Sequence, residues 1–158
     1  MMRAVIGLGA NLGDPAAQLR TAIAAIGRIA DTRVLAVSSF YRTAPVGYLA
    51  QPEFVNAAVA VETTLAPRAL LDALQAIEAA AGRERRFKDA PRTLDLDLLL
   101  YGDRVVHEPG LTIPHPRLHE RAFALAPLVE IAPDAVVPGH GRAADLLARC
   151  ADQKIEKV

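Results

Sequence analysis

The chain has 158 residues, with eighteen Lys and Arg against eighteen Asp and Glu, so its formal charge is zero and a general affinity for polyanions is excluded. Its one cysteine, Cys150, rules out an internal disulfide framework and a metal-binding cysteine cluster, and fits a reducing, cytoplasmic setting. No apolar run reaches the roughly 18 residues of a membrane helix, and the apolar start is too short and glycine-rich for a signal peptide, so one soluble domain over 1–158 is expected, with no nucleic-acid or membrane partner.

Ala4 to Leu8 predicts a short buried strand ending in glycines, and Asp14-Pro15 then supplies an N-cap and a proline at the first helical position. Leu19, Ile23 and Ile26 give the ensuing helix an inner stripe as far as Gly27. A second strand is expected over Val34 to Tyr41. In a third, Phe54 to Glu62, Val55, Ala57, Val59 and Val61 alternate against Phe54, Asn56, Ala58 and Ala60. Pro67 opens a second helix with Leu70, Leu71, Leu74 and Ile77 on one face, closed by Gly82. An arginine-rich loop precedes a fourth strand, Thr93 to Tyr101, and short helical pieces are expected at Glu120 to Leu125 and Arg142 to Arg149. The order strand, helix, strand, strand, helix, strand matches an α+β, ferredoxin-like βαββαβ plan: an antiparallel sheet with helices on one face, to which the C-terminal third adds extra elements.

The chemistry concentrates in Pro91-Arg92-Thr93-Leu94-Asp95-Leu96-Asp97-Leu98. Strand periodicity puts Asp95 and Asp97 on one face, about 7 Å apart, with Leu94, Leu96, Leu98 and Leu100 facing the other way. A hard divalent cation such as Mg²⁺ relieves the repulsion of two such carboxylates by binding both. Arg83, Arg85, Arg86, Lys88 and Arg92 place five cations within ten residues just before them. Carboxylate-held metal and guanidinium groups together suit a polyphosphate and make phosphoryl transfer the working hypothesis. Arginine outnumbers lysine fifteen to three, and its planar fork suits phosphate better than an ammonium does.

Gly7-Leu8-Gly9-Ala10-Asn11-Leu12-Gly13 is neither a Walker loop nor a dinucleotide fingerprint, and a tight strand-to-helix turn is the preferred explanation of its glycines over close approach to a ligand. Phe54 and Asn56, on one strand face, pair a flat ring with an amide and suit a planar heterocycle. Gln75 and Glu78 lie three apart on the second helix, off its leucine stripe. His115, between Pro114 and Pro116, is read as a phosphate donor in preference to a zinc ligand with His119; Arg121 and Phe123 stand near it in sequence.

Ser39-Phe40-Tyr41-Arg42-Thr43, Gln51-Pro52-Glu53-Phe54-Val55-Asn56-Ala57-Ala58, Pro91 to Gly102 and Thr112-Ile113-Pro114-His115 together closely resemble the 6-hydroxymethyl-7,8-dihydropterin pyrophosphokinase family, from Ala4 to about Val137. The resemblance implies a ferredoxin-like α+β fold, with ATP as co-substrate and pyrophosphate transfer to the pterin hydroxymethyl group, releasing AMP. It implies two Mg²⁺ ions on Asp95 and Asp97. Arg83 and Arg92 would balance charge in the transition state, and Arg85 or Arg86 would assist. Gln75, Glu78, Leu98, Thr112, His115 and Arg121 would line the nucleotide site. Phe54 and Phe123 would sandwich the pterin, whose polar edge would meet Asn56 and groups near Thr43, Ala44 and Val46. Loops around Thr43 to Pro52 and Arg83 to Ala90 would close over the substrates. A monomer acting on ATP and the pterin is expected. Two alternatives stay open here: a ferredoxin-like ligand-sensing or RNA-binding module, against which the acidic central strand weighs, and a metal-dependent phosphohydrolase, which needs no pterin pocket.

Overall fold

In a computed structural model that describes residues 1–11, 13–43, 53–82 and 94–158, Pro15 opens the first helix and Asp14 caps it. The Asp14 carboxylate accepts from the Ala17 amide at 3.1 Å, satisfying one of the N–H groups that a helix start leaves without an internal partner. This helix, α1 (Pro15–Ile26), follows β1 (Met2–Ala10) and leads to β2 (Thr32–Val37), β3 (Tyr41–Thr43) and β4 (Phe54–Thr63). Pro67 opens α2 (Pro67–Ala81), and β5 (Asp95–Tyr101) comes next. The C-terminal third holds a ribbon of β6 (Val106–Glu108) and β7 (Leu111–Ile113), a 3₁₀ turn at Leu118–Glu120 and α3 (Ala122–Ile131). A second ribbon, β8 (Val136–Val137) with β9 (Gly141–Arg142), is followed by α4 (Ala143–Ala148) and β10 (Ile155–Lys157).

The main sheet pairs antiparallel in the order β10-β3-β4-β1-β5, with β2 also on β4. The strand expected over Val34 to Tyr41 is thus two strands. β2 lies along Val59–Thr63, and β3 along Phe54–Asn56. Side chains take over where the ladder lapses between them: Ser38 Oγ accepts from the Ala58 amide at 2.8 Å, and Glu130 accepts from the Ser39 amide at 2.8 Å, the Ser39 hydroxyl at 2.9 Å and the Tyr41 hydroxyl. Burial raises the Tyr41 phenol and Glu130 adds to that. Burial also pushes the Glu130 carboxyl upward, but bonds from Tyr41 and Ser39 and the charge of Lys157 outweigh it, leaving the group below the usual carboxylate range.

Helices cover both faces of the sheet. On one, Ile6 and Leu8 of β1, Val59 and Val61 of β4 and Leu96 and Leu98 of β5 pack with Leu19 and Ile26 of α1 and Leu70 and Leu74 of α2. On the other, Val5, Ala58, Leu99 and Leu100 pack with Leu118, with Leu125 and Leu128 of α3, and with Val137, Leu146 and Cys150. Helices on a single face therefore describe α1 and α2 only. The physical reason is that the unbroken apolar runs Ala57-Ala58-Val59-Ala60-Val61 and Leu98-Leu99-Leu100 leave no polar face for solvent.

Two local expectations also change. Val5 pairs with Leu100 but Ile6 pairs with Leu98, so Leu99 is the extra residue of a β-bulge. Beyond it the alternation reverses: Leu100 joins Leu99 under α3 instead of following Leu94, Leu96 and Leu98. The helical piece expected over Glu120 to Leu125 is a 3₁₀ turn and then a helix that runs through Pro127 to Ile131. Pro127 lacks the amide that would reach the Phe123 carbonyl, yet burial of Leu125, Ala126, Pro127 and Leu128 against the sheet outweighs that loss.

Candidate active site

A cavity of about 660 Å³ opens on the sheet face below the start of α3. Its size is that of a small-molecule pocket. Its floor is β1, with β4 on one side and β5 on the other. Gly9 lies opposite Asn56 in one ladder and opposite Asp95 in the other, and Gly7 lies opposite Ala58 and Asp97. These glycines are therefore strand residues that line the cavity, not a strand-to-helix turn. A Cβ at Gly9 would stand 3.0 Å from Asn56 Oδ1, and one at Gly7 would stand 3.1 Å from Leu99 Cδ1. Close approach is what the glycines serve.

On the β4 side the cavity meets Phe54, Asn56 and Thr43. Asn56 and Thr43 are buried, and the Asn56 amide donates to Thr43 Oγ1 at 3.1 Å, which fixes which end of the amide is the donor. Phe123, at the start of α3, lines the opposite wall under the guanidinium of Arg121, 5.4 Å from the ring centre. Two half-buried rings thus border one space, with a fixed amide beside one of them.

On the β5 side Asp95 and Asp97 both line the cavity, as strand parity predicts. His115 Nε2 stands 3.9 Å from Asp97 Oδ1, and the His115 backbone amide donates to the Leu99 carbonyl at 3.0 Å, which ties this segment to the outer edge of β5. The Arg117 amide donates to His115 Nδ1 at 3.3 Å, so the neutral ring carries its proton on Nε2, toward the cavity. Burial lowers the His115 pKa from its ordinary value; Asp97 opposes this, and Arg121 and Arg117 add to it. Burial likewise holds Arg121 below the usual arginine value, Arg117 reinforcing that while Asp97 and Glu120 oppose it. His119 does not join His115. It stacks on His140, with ring centres 3.8 Å apart.

Of the sequence candidates, Thr43, Phe54, Asn56, Asp95, Asp97, His115, Arg121 and Phe123 come together around this cavity, and Gln75, Glu78, Leu98 and Thr112 do not line it. Gln75 is exposed on α2, and Glu78 Oε2 accepts from the Leu96 amide at 2.8 Å, joining α2 to β5. The Leu98 side chain belongs to the core under α1 and α2. Thr112 sits on β7, opposite His107. Arg83, Arg85, Arg86 and Arg92, with Ala44 and Val46 and most of the two loops expected to close, lie outside the described residues. The sequence reading missed Arg117, Glu120, Gln153, Lys154 and Ile155, which line the cavity too. Only the Arg117–Glu120 pair, at spacing three and 2.7 Å apart, left a trace in the sequence.

The donor set fits Mg²⁺. Two carboxylates on one strand face, partly open to the cavity, match an ion that takes one or two protein carboxylates and completes its shell with water and substrate phosphates. Among the described residues no group of three acidic, histidine or cysteine ligands forms a closed cage.

A carboxylate pair and an imidazole donor facing cationic side chains, on a mixed α/β frame with an antiparallel sheet, make this a phosphoryl-transfer type of enzyme. The chain matches the 7,8-dihydro-6-hydroxymethylpterin-pyrophosphokinase family over residues 5–133 and belongs to it. It is 44% identical to 2-amino-4-hydroxy-6-hydroxymethyldihydropteridine pyrophosphokinase of Pseudomonas aeruginosa across 100% of this chain and 98% of that protein. The Haemophilus influenzae enzyme of the same name is also 44% identical, over 100% of this chain and 99% of its own length. In fold, the chain superposes on Plasmodium falciparum HPPK-DHPS with a TM-score of 0.73 at 14% sequence identity, covering 94% of this chain but only 44% of that one.

Proposed function

We propose that the cavity is the reaction site, with the pterin on the β4 side and the ATP phosphates on the β5 side. The chain transfers pyrophosphate from ATP to the hydroxymethyl group of 6-hydroxymethyl-7,8-dihydropterin, a step of folate biosynthesis. What carries the site reading is the line Asn56, Gly9, Asp95 across three adjacent strands. Its ends are about 10 Å apart, at two strand spacings, with no side chain between them. A pterin whose polar edge meets Asn56 and Thr43 and whose ring lies between Phe54 and Phe123 then extends its hydroxymethyl arm over Gly9 toward the carboxylates.

Asp95 and Asp97 would hold two Mg²⁺ ions, which when bound neutralise phosphate charge and favour the hydroxyl as nucleophile. The pterin hydroxyl oxygen attacks the β-phosphorus in line, the bond from that phosphorus to the oxygen it shares with the α-phosphate breaks, and AMP departs. Catalysis of this kind rests on positioning and fixed charge. His115, through Nε2–H, and Arg121 donate to phosphate oxygens from the α3 side, and Arg83 and Arg92, with Arg85 or Arg86, supply further cations. The nucleotide base belongs at the outer edge of β5, between α2 and β7, where Gln75, Glu78 and Thr112 stand. The Leu96 amide turns outward there to Glu78, and strand parity turns the Leu98 backbone the same way. The βαββαβ core within this sheet is read as ferredoxin-like. One domain over 1–158, acting as a monomer in the cytoplasm, completes the reading; no described helix is long and apolar enough to cross a membrane.

The test is incubation with ATP, Mg²⁺ and 6-hydroxymethyl-7,8-dihydropterin, followed by separation of the products. Equal amounts of AMP and pterin diphosphate are expected, and ADP or inorganic phosphate released without pterin would overturn the reading. Asn56→Ala should raise KM for the pterin about 10- to 100-fold, the cost of one to two buried hydrogen bonds, and leave KM for ATP within about twofold. Equal changes in both constants would detach Asn56 from the pterin.

A further inference from the structure

We propose that Gln153 is a positioning residue for the pterin-facing corner of α3, and so a determinant of pterin affinity supplied by the C-terminal segment. The proposal rests on the reading of the cavity given above and adds to it a residue that does no chemistry itself. Arg121 is the N-cap of α3, yet its side chain makes no capping hydrogen bond; its guanidinium instead reaches over the Phe123 ring. The cap comes from 31 residues away in sequence. Gln153 Oε1 accepts from the Ala122 amide at 2.9 Å, and Gln153 Nε2 donates to the Glu120 carbonyl at 2.8 Å. One side-chain amide thus holds the backbone on both sides of Arg121, and its two ends cannot exchange, because Ala122 N–H only donates and the Glu120 carbonyl only accepts.

The segment bearing Gln153 is itself held. Ile155 pairs with Thr43 in the ladder between β10 and β3, and Thr43 is the hydroxyl to which Asn56 donates. Gln153 therefore spans the gap between the sheet wall, with Phe54, Asn56 and Thr43, and the helix wall, with Arg121 and Phe123. Since the two rings have to face each other at a fixed separation for a flat heterocycle to fit, the residue that fixes the start of α3 relative to β3 sets that separation.

The experiment measures steady-state KM for 6-hydroxymethyl-7,8-dihydropterin and for ATP, with thermal unfolding, in Gln153→Met, Gln153→Glu, Phe123→Ala and the double variant Gln153→Met with Phe123→Ala. Gln153 is exposed, so Gln153→Met is expected to remain folded. It should raise KM for the pterin about tenfold, with both hydrogen bonds at the corner lost, and KM for ATP by a smaller factor, because Arg121 is one of several cations on the phosphates while the ring separation depends on this corner alone. Gln153→Glu keeps the acceptor for Ala122 but sets a carboxylate against the Glu120 carbonyl, and should fall between. In the Phe123→Ala background Gln153→Met should add less than twofold, because the ring through which it acts is gone. A pterin KM that Gln153→Met leaves unchanged, or an effect that persists undiminished without Phe123, overturns the proposal while leaving the cavity reading in place. No effect of Phe123→Ala itself would instead remove the pterin wall, and this proposal with it.

Discussion

Asp97→Ala is expected to lower turnover about 1,000-fold or more while the protein melts within a few degrees of the parent. The stability half of this expectation follows from the position of the side chain, which is 48% exposed on the cavity face of β5 and lies opposite Gly7 in the ladder. No core packing is lost with it, and the repulsion between two carboxylates on one strand face is relieved. The catalytic half follows from charge: without Asp97 only Asp95 remains on that face to hold a cation against a polyphosphate. Asp97→Asn should show the same loss, with the Mg²⁺ concentration for half-maximal rate moved upward. Turnover, a thermal melt and a Mg²⁺ titration check the three points. Activity within tenfold of the parent would remove Asp97 from the reaction, and loss of a cooperative melt would make its role structural.

Leu125→Ala should destabilise the protein by about 2–5 kcal/mol, the range for deleting a buried leucine and leaving a cavity. Leu125 is completely buried in the layer where α3 meets Val5, Ala58, Leu99 and Leu100. Each kcal/mol moves the melting temperature of a chain this size by about 2–4 °C, so a fall of roughly 4–20 °C should appear in a calorimetric scan. Leu35→Ala, at a position 36% exposed on β2, serves as the control and should cost less than about 1 kcal/mol. Equal losses for the two would mean that the second helical layer contributes nothing to the core. This layer carries Arg121 and Phe123 at its edge, so the same scan reports on what supports one wall of the cavity.

The carboxylate pair on β5 and Gln153 mark the extremes of what the sequence reveals. Asp95 and Asp97 were legible because the chemistry and the period coincide: two carboxylates spaced by two on a strand have to share a face. Phe54 and Asn56 were legible on the same ground. The parity of Leu100 was not, because a bulge comes from register with β1 and leaves no mark among four consecutive leucine-rich positions. The helical piece expected to end at Leu125 instead runs through Pro127 to Ile131, because burial against the sheet outweighs the missing amide. Gly7 and Gly9 looked like turn residues, since nothing local says that Asn56 and Leu99 will stand where their side chains would be. Gln153 was invisible for a different reason: its task is defined by two backbone groups more than thirty residues away, and an isolated glutamine near a chain terminus has no pattern to read.

The bulge at Leu99 also decouples the two halves of β5. Upstream of it, Asp95 and Asp97 take their direction from pairing with Gly9 and Gly7; downstream, Leu100 and Tyr101 take theirs from pairing with Val5 and Ala4. Tyr101 is anchored independently by donating its hydroxyl to the Leu65 carbonyl. A slip of one residue beyond the bulge would thus exchange leucine and tyrosine between the two apolar layers and leave both carboxylates pointing into the cavity. The strand behaves as two short registers joined at an insulating residue, so sequence drift in the hydrophobic half is mechanically shielded from the half that holds charge.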